Sequence, residues 1–404
     1  MFFLLPYGNN RRTTRFPAVT YSLIALNILV FLAMLPANRQ AAIHVFALWP
    51  SHPSIDTILT SMFIHAHIFH LAWNMLYLWL FGPNVEDALG HLEYAAFYFA
   101  SGFAAALLHI FMIHTFTPWA ADIPVVGASG AIAGVLGIFA VRFYKTGIRV
   151  FWYVGILVIP IRWGTFTIPA MYGLGIWFLQ QVILGTVSLL SMRPGGVAYW
   201  SHIGGMVFGI ILANAMRFVR EGTKEYLMDD ARTNIEQGAT LGAAEKLRAL
   251  LEHEPNNAGV HRELGNAYAL QQDRESAIDH YQRCIKLHMQ TGQCSDAIAC
   301  FGELKHHFRN ARLDLRAEYQ LARYLSDSGC PEPAIQILEQ IASDYPGAPE
   351  AEVSLMKAGD LSLNTLNDPG SALKYYTQFL EEYPLSQWRA LVEKSLSEAR
   401  GRLQ

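Results

Sequence analysis

Gly127-Ala128-Ser129-Gly130-Ala131-Ile132-Ala133-Gly134-Val135-Leu136-Gly137 opens an apolar stretch in which Arg142 is the first charge before Tyr144. A bilayer core of about 30 Å takes roughly 20 such residues as a helix, so 127–144 reads as a membrane span. Small residues four apart, Gly130 and Gly134, let a second helix approach backbone to backbone. A second stretch has the same character: Ser201-His202-Ile203-Gly204-Gly205, with Gly209 four residues on. Polar and ionisable side chains are costly at membrane depth and mark function there. A hydroxyl and an imidazole, each wrapped in small residues, therefore carry the reading.

Working outward, the apolar runs fall at about 18–35, 57–82, 94–115, 127–144, 167–189 and 199–219. Segment 146–166 is apolar but interrupted by Arg149, Pro160 and Arg162, and it reads as lying at the interface rather than crossing. Six spans with the amino terminus inside put ten basic residues on the cytoplasmic side: Arg11, Arg12, Arg15, Arg142, Lys145, Arg149, Arg162, Arg217, Arg220 and Lys224. Only Arg39 and Arg193 fall outside, the bias that sets membrane orientation. With six spans Ser129 and His202 share the outer leaflet; a seventh crossing at 146–166 would separate them.

The two parts of the chain differ in charge. Residues 1–222 carry 11 Lys/Arg and 6 Asp/Glu, and residues 223–404 carry 19 and 27. The basic excess of the first part sits in loops beside apolar runs, which points to a bilayer and not to nucleic acid. The four cysteines, Cys284, Cys294, Cys300 and Cys330, lie in the second part without CxxC spacing. That pattern favours reduced thiols over a disulfide framework or metal site. The start, MFFLLPYGNNRRTTRF, reverses the order of a secretory signal and reads as a cytoplasmic tail, 1–17, with Met1–Tyr7 on the membrane surface.

A serine hydroxyl is a weak nucleophile until a base takes its proton, and that base must lie within hydrogen-bond reach. His202 is the base available, and the paired glycines supply the close helix approach. Ser129 at a helix start has unpaired amides and a positive dipole end for an oxyanion. His70 and Asn74 in the second span, four apart on one helix face, add two hydrogen-bond donors. His65, His67 and His70 invite a metal reading, but His65 and His67 point to different faces and no carboxylate or thiolate joins them. His109 and His114 read as interfacial. Glu86 reads as the start of a turn after the second span.

With GxSG at Ser129, H-x-x-x-N at His70 and Asn74, and HxGG at His202, residues 15–220 resemble the rhomboid family of intramembrane serine proteases. The resemblance implies Ser129 as nucleophile and His202 as general base. It implies an oxyanion hole of the Ser129 backbone N–H, His70 and Asn74. Gly127, Gly130, Gly134, Gly205 and Gly209 serve helix packing at the site, and His65 matches a recurrent, structural family histidine. Two departures stand out: Ala133 occupies a position where some members stack a tyrosine on the base, and Trp49 is followed by Pro50 instead of arginine.

From about Thr223 the pattern changes to amphipathic helices. Ala231, Ala243 and Leu247 return 34 residues later as Gly265, Ala277 and Tyr281, and similar sets recur at Ala322, Ala334, Leu338 and at Gly359, Ala372, Tyr376. This period resembles tetratricopeptide repeats, with Leu264-Gly265-x-x-Tyr268 the closest local match and 290–312 a shortened unit. Stacked helix pairs bury stripes that one pair cannot, and commonly present a concave surface to a protein or peptide partner.

The expected fold is all-α: a rhomboid-like six-helix transmembrane bundle over 18–222, then a tetratricopeptide-like solenoid over 223–404. The expected function is an intramembrane serine endopeptidase that acts on transmembrane proteins in the lipid bilayer, without cofactor, metal or nucleic acid. Its repeats would take a cytoplasmic partner. A bacterial inner membrane with both termini in the cytoplasm is the expected location. The alternative is a non-proteolytic, rhomboid-derived adaptor that binds membrane helices, as derlins do.

Overall fold

In a computed structural model, residues 2–34, 39–156, 159–190, 197–308 and 313–403 are described; Met1 and Arg193 lie outside them. The chain separates into two compact units, 1–224 and 225–404.

The first unit contains α1 (Ala18–Ala33), α2 (Arg39–Phe46), α3 (Ile55–Ser61), α4 (Ile68–Leu89), α5 (His91–Phe116), α6 (Ser129–Arg142), α7 (Ala170–Leu190) and α8 (Tyr199–Ala215). Of these, α5 and α7 are long and apolar enough to cross a membrane by length and composition alone. Helix α6 is central, with every residue from Gly130 to Phe139 buried. Its 14 residues rise about 21 Å, less than a hydrocarbon core of about 30 Å. Burial of its central residues among neighbouring helices makes this short length tolerable, because backbone enclosed by protein need not satisfy its polar groups in lipid.

α6 packs on α8 through glycines. A Cβ on Gly205 would collide with the Gly130 carbonyl oxygen, and one on Gly209 with that of Gly134. Phe81 of α4 and Phe139 of α6 meet edge to face at 4.9 Å beneath this seam.

The expected second span, 57–82, is two helices. Ser54 and Thr57 form a capping box that starts α3, and α4 begins afresh where His67 Nδ1 accepts the His70 N–H at 3.1 Å. Residues 62–67 are the turn between them. α4 then continues past Pro83 to Leu89, so Glu86 lies inside a helix and not in a turn. Its carboxylate is buried and accepts from Val19 N, Thr20 N and Thr20 Oγ1 at 2.9, 2.8 and 2.6 Å. An acid from one helix thus caps the start of α1, where Pro17 offers no side-chain cap.

Segment 146–166 does not form a helix. Strands β1 (Phe2–Asn9), β2 (Gly147–Ile156) and β3 (Ile159–Pro169) make an antiparallel sheet in the order β1-β2-β3. The expected tail 1–17 therefore supplies a strand, and Asn9 Nδ2 ties it to Leu80 O at 2.7 Å and Asn84 Oδ1 at 3.0 Å. Ile148 and Val150 join the bundle core. The sheet is the non-helical exception in a chain whose class is all-α.

Helix α9 (Phe218–Glu236) runs through the boundary at 224/225, and the second unit continues through α10 (Thr240–His253), α11 (Ala258–Leu270), α12 (Arg274–Gln290), α13 (Cys294–His307), α14 (Leu315–Asp327), α15 (Pro331–Asp344), α16 (Pro349–Asn364), α17 (Pro369–Glu382) and α18 (Arg389–Leu403). Ala243, Ala277, Ala334 and Ala372 are fully buried at helix crossings. Gly265 and Gly359 leave room for the buried rings of Tyr281 and Tyr376, which a Cβ would strike. The shortened unit at 290–312 contributes α13, with Ala297 and Phe301 buried. Cys284 and Cys300 are joined as a disulfide between α12 and α13, against the expectation of reduced thiols throughout; Cys294 and Cys330 are free.

Candidate active site

Ser129 is the first residue of α6. The turn before it depends on Gly127, whose φ of +115° is strained for any side chain. Gly127 N donates to Ser61 O at 2.9 Å, which pins this turn to the end of α3. The bare Cα of Gly127 also admits two side chains of α4. A Cβ there would lie 2.8 Å from His70 Nε2 and 3.6 Å from Asn74 Nδ2. His70 and Asn74 are thus brought to the turn that carries Ser129. One Asn74 amide hydrogen goes to the His70 carbonyl at 3.1 Å, which leaves the other for a ligand.

His202, in the first turn of α8, faces Ser129 across the glycine seam, with Nε2 2.8 Å from Oγ. Its Nδ1 lies 2.8 Å from Gln181 Oε1 of α7. A carboxamide oxygen only accepts, so Nδ1 carries the proton and Nε2 presents a lone pair to the hydroxyl. This tautomer can take a proton from Ser129. Trp177, one turn from Gln181, holds its ring 5.8 Å from the imidazole, tilted 32°. The aromatic that Ala133 does not provide comes instead from α7.

His70, Asn74, Ser129, Trp177 and His202 line a cavity of about 550 Å³, within the range of small-ligand sites. His109 lines it too and is buried at 7 % exposure. His114 lies outside, with Nε2 2.7 Å from Pro50 O. His65 is buried and meets the His70 ring edge-on at 5.1 Å. His67 spends Nδ1 on the α4 cap. Elsewhere, Cys284, His288 and Cys300 bring three potential ligand atoms within 4.8 Å of one another, but the two sulfurs are bonded to each other.

Gln181 and Trp177 were not singled out from sequence. The available signal was the pair Gln180-Gln181 inside an apolar helix, the kind of residue that marks function in a membrane. Its partner stands 21 residues away on another helix, and no motif joins them.

The model described as the Rhomboid domain matches residues 52–217, and that of the tetratricopeptide repeat matches 263–291 and 353–386. The chain is similar to Rhomboid protein 1, mitochondrial, of Saccharomyces cerevisiae: 29 % identity over 199 residues, covering 48 % of this chain and 51 % of that one. Presenilin-associated rhomboid-like protein, mitochondrial, of Homo sapiens is 27 % identical over 196 residues, covering 46 % and 45 %. Rhomboid protease GluP of Bacillus subtilis is 32 % identical over 128 residues, covering 30 % and 24 %. The chain spans about half the length, or less, of these relatives. Among solved structures, MamA protein matches at 19 % identity and a TM-score of 0.23, covering 40 % of this chain and 92 % of that one.

Proposed function

The chain is a rhomboid-family membrane protein with tetratricopeptide repeats, and from that premise we propose that it is an intramembrane serine endopeptidase. The observation that carries the proposal is the 2.8 Å approach of His202 Nε2 to Ser129 Oγ. In the proposed reaction Oγ attacks a peptide carbonyl carbon while its proton passes to Nε2. The negative oxygen so formed is held by the Ser129 backbone N–H at the α6 start, with His70 and Asn74 as side-chain donors. The C–N bond then breaks, Nε2 returns the proton to the leaving amine, and an ester remains on Oγ. Water repeats the sequence, with His202 again as base, and frees the acid.

Substrates in this reading are transmembrane segments that unwind near the outer face and carry a small residue before the cut. The basic ends of the spans support an orientation with both termini on the cytoplasmic side. The relatives carry mitochondrial as well as bacterial names, so the bacterial cell membrane belongs to the proposal alone. The repeats would dock a protein or peptide partner on that side.

Fluorophosphonate labelling of the purified protein, followed by mass mapping, tests the assignment. Labelling at Ser129 that vanishes in Ser129→Ala and His202→Ala is expected. A wild-type protein inert to the probe and to substrate would instead favour the membrane-helix adaptor.

A further inference from the structure

The base of the site has a partner that the two-residue dyad does not include. Gln181 is 6 % exposed, whereas its neighbour Gln180 is exposed and Ile176, Leu179, Ile183 and Val187 are all more than half exposed. Trp177, Gln181 and Gly185 recur every four residues and form the stripe that faces α8. At Gly185 the stripe runs close, since a Cβ there would stand 3.3 Å from Tyr199 Cβ and 3.4 Å from the Trp200 ring. At Trp177 it meets the imidazole of His202. Between them, the Gln181 carboxamide oxygen accepts the Nδ1 proton at 2.8 Å.

We propose that Gln181 is a positioning residue of the Ser129–His202 pair. It fixes the tautomer and plane of the imidazole, and it makes a competent base depend on α7 being seated against α8. This rests on the protease reading above. The logic is that of an orienting third group in a hydrolytic triad, supplied here by a neutral amide. Without an acceptor at this place, the neutral imidazole is free to move its proton to Nε2, where it can no longer take one from Ser129. When His202 gains the serine proton, Nδ1–H becomes a donor on a cation, and its bond to the carboxamide oxygen strengthens. Helix α7 is weakly embedded: 17 % of its most apolar window is buried, against 50 % in α5. A displacement of α7 by more than about an ångström takes the bond beyond hydrogen-bond range.

The test uses the full chain in proteoliposomes, a fluorophosphonate probe and a fluorescent polypeptide with one transmembrane segment. Gln181→Met keeps the length of the side chain and removes the acceptor. It is expected to slow labelling of Ser129 by between about tenfold and a hundredfold, the equivalent of one hydrogen bond to a charged group. Turnover of the polypeptide should fall in kcat with KM unchanged. Gln181→Glu, which still offers an oxygen to Nδ1, should restore most of the rate. Should Gln181→Met fail to fold, Gln181→Asn, one methylene short of the ring, carries the same expected loss. Wild-type labelling with an unchanged rate in Gln181→Met, or a loss that Gln181→Glu does not repair, overturns this role and leaves the dyad standing. A wild-type protein that does not label removes the protease reading, and this role with it.

Discussion

His202 shows how little of a site must be contiguous to work. Its two ring nitrogens meet Ser129 and Gln181, contributed by α6 and α7, and its own α8 supplies the glycines that allow the approach. The serine and histidine were legible because each stands out in an apolar, glycine-rich stretch. Gln181 was not, because it stands beside Gln180 in a span that also carries Thr186 and Ser188, and spacing does not single it out or identify its partner. Asn74 makes the most specific residue-level prediction. Asn74→Ala removes one donor from the proposed oxyanion site and should lower kcat on a transmembrane substrate by about 10²–10³ with little change in KM. Steady-state kinetics in liposomes checks this; a change confined to KM would move Asn74 to substrate binding.

At the scale of elements, the glycine seam between α6 and α8 sets the distance between the Ser129 hydroxyl and the His202 imidazole. Gly205→Leu forces carbonyl and side chain into one volume and should destabilise the bundle by about 1–3 kcal/mol. Because the helices separate at that point, fluorophosphonate labelling of the remaining folded protein should disappear as well. The Glu86 cap is a second element-level device. Glu86→Gln removes the charge that faces the α1 start and one of its acceptor oxygens, a loss of about 1–2 kcal/mol. A lowered thermal midpoint with active-site labelling retained is the expected result.

Sequence reading found the helices whose pattern is unambiguous and missed what side chains decide locally. A hydropathy run over 57–82 does not reveal that His67 restarts the helix. The sheet escaped for a different reason. Strand β2, Gly147–Ile156, is apolar on both faces at Phe151, Trp152, Tyr153 and Val154, so the alternation that betrays a strand is absent. The Cys284–Cys300 pair was equally hidden, since a 16-residue separation acquires meaning only when α12 and α13 fold back on each other.

At the scale of the whole molecule, the repeats carry a histidine pair that makes their stability depend on pH. In the repeats, His261 Nε2 donates to Pro255 O at 3.0 Å, so its Nδ1 accepts from His280 Nδ1–H at 2.9 Å. Tyr268 stacks on His280 with planes 2° apart. Burial, and after it the proximity of His261, pushes His280 down to about 4; burial also lowers His261, while Asp279 raises both against Arg283. Both rings are therefore neutral in the folded chain. As pH falls below about 6.5 the unfolded state takes up protons that the folded state refuses, so stability is lost from there down towards pH 4. Hydrogen exchange of α11 and α12 amides in the full chain, corrected for intrinsic rates, should give a smaller opening free energy at pH 5 than at pH 7. His280→Gln should flatten that difference.

The central claim is that one hydroxyl and one imidazole cut peptide bonds inside a bilayer. The direct measurement is cleavage of a single-span polypeptide reconstituted with the full chain in liposomes, with the cut mapped by mass spectrometry. Wild-type protein should cut within the outer part of the span, and Ser129→Ala and His202→Ala should each reduce the rate to background. Undiminished cleavage by either variant, or an intact substrate with folded wild-type protein, would contradict it.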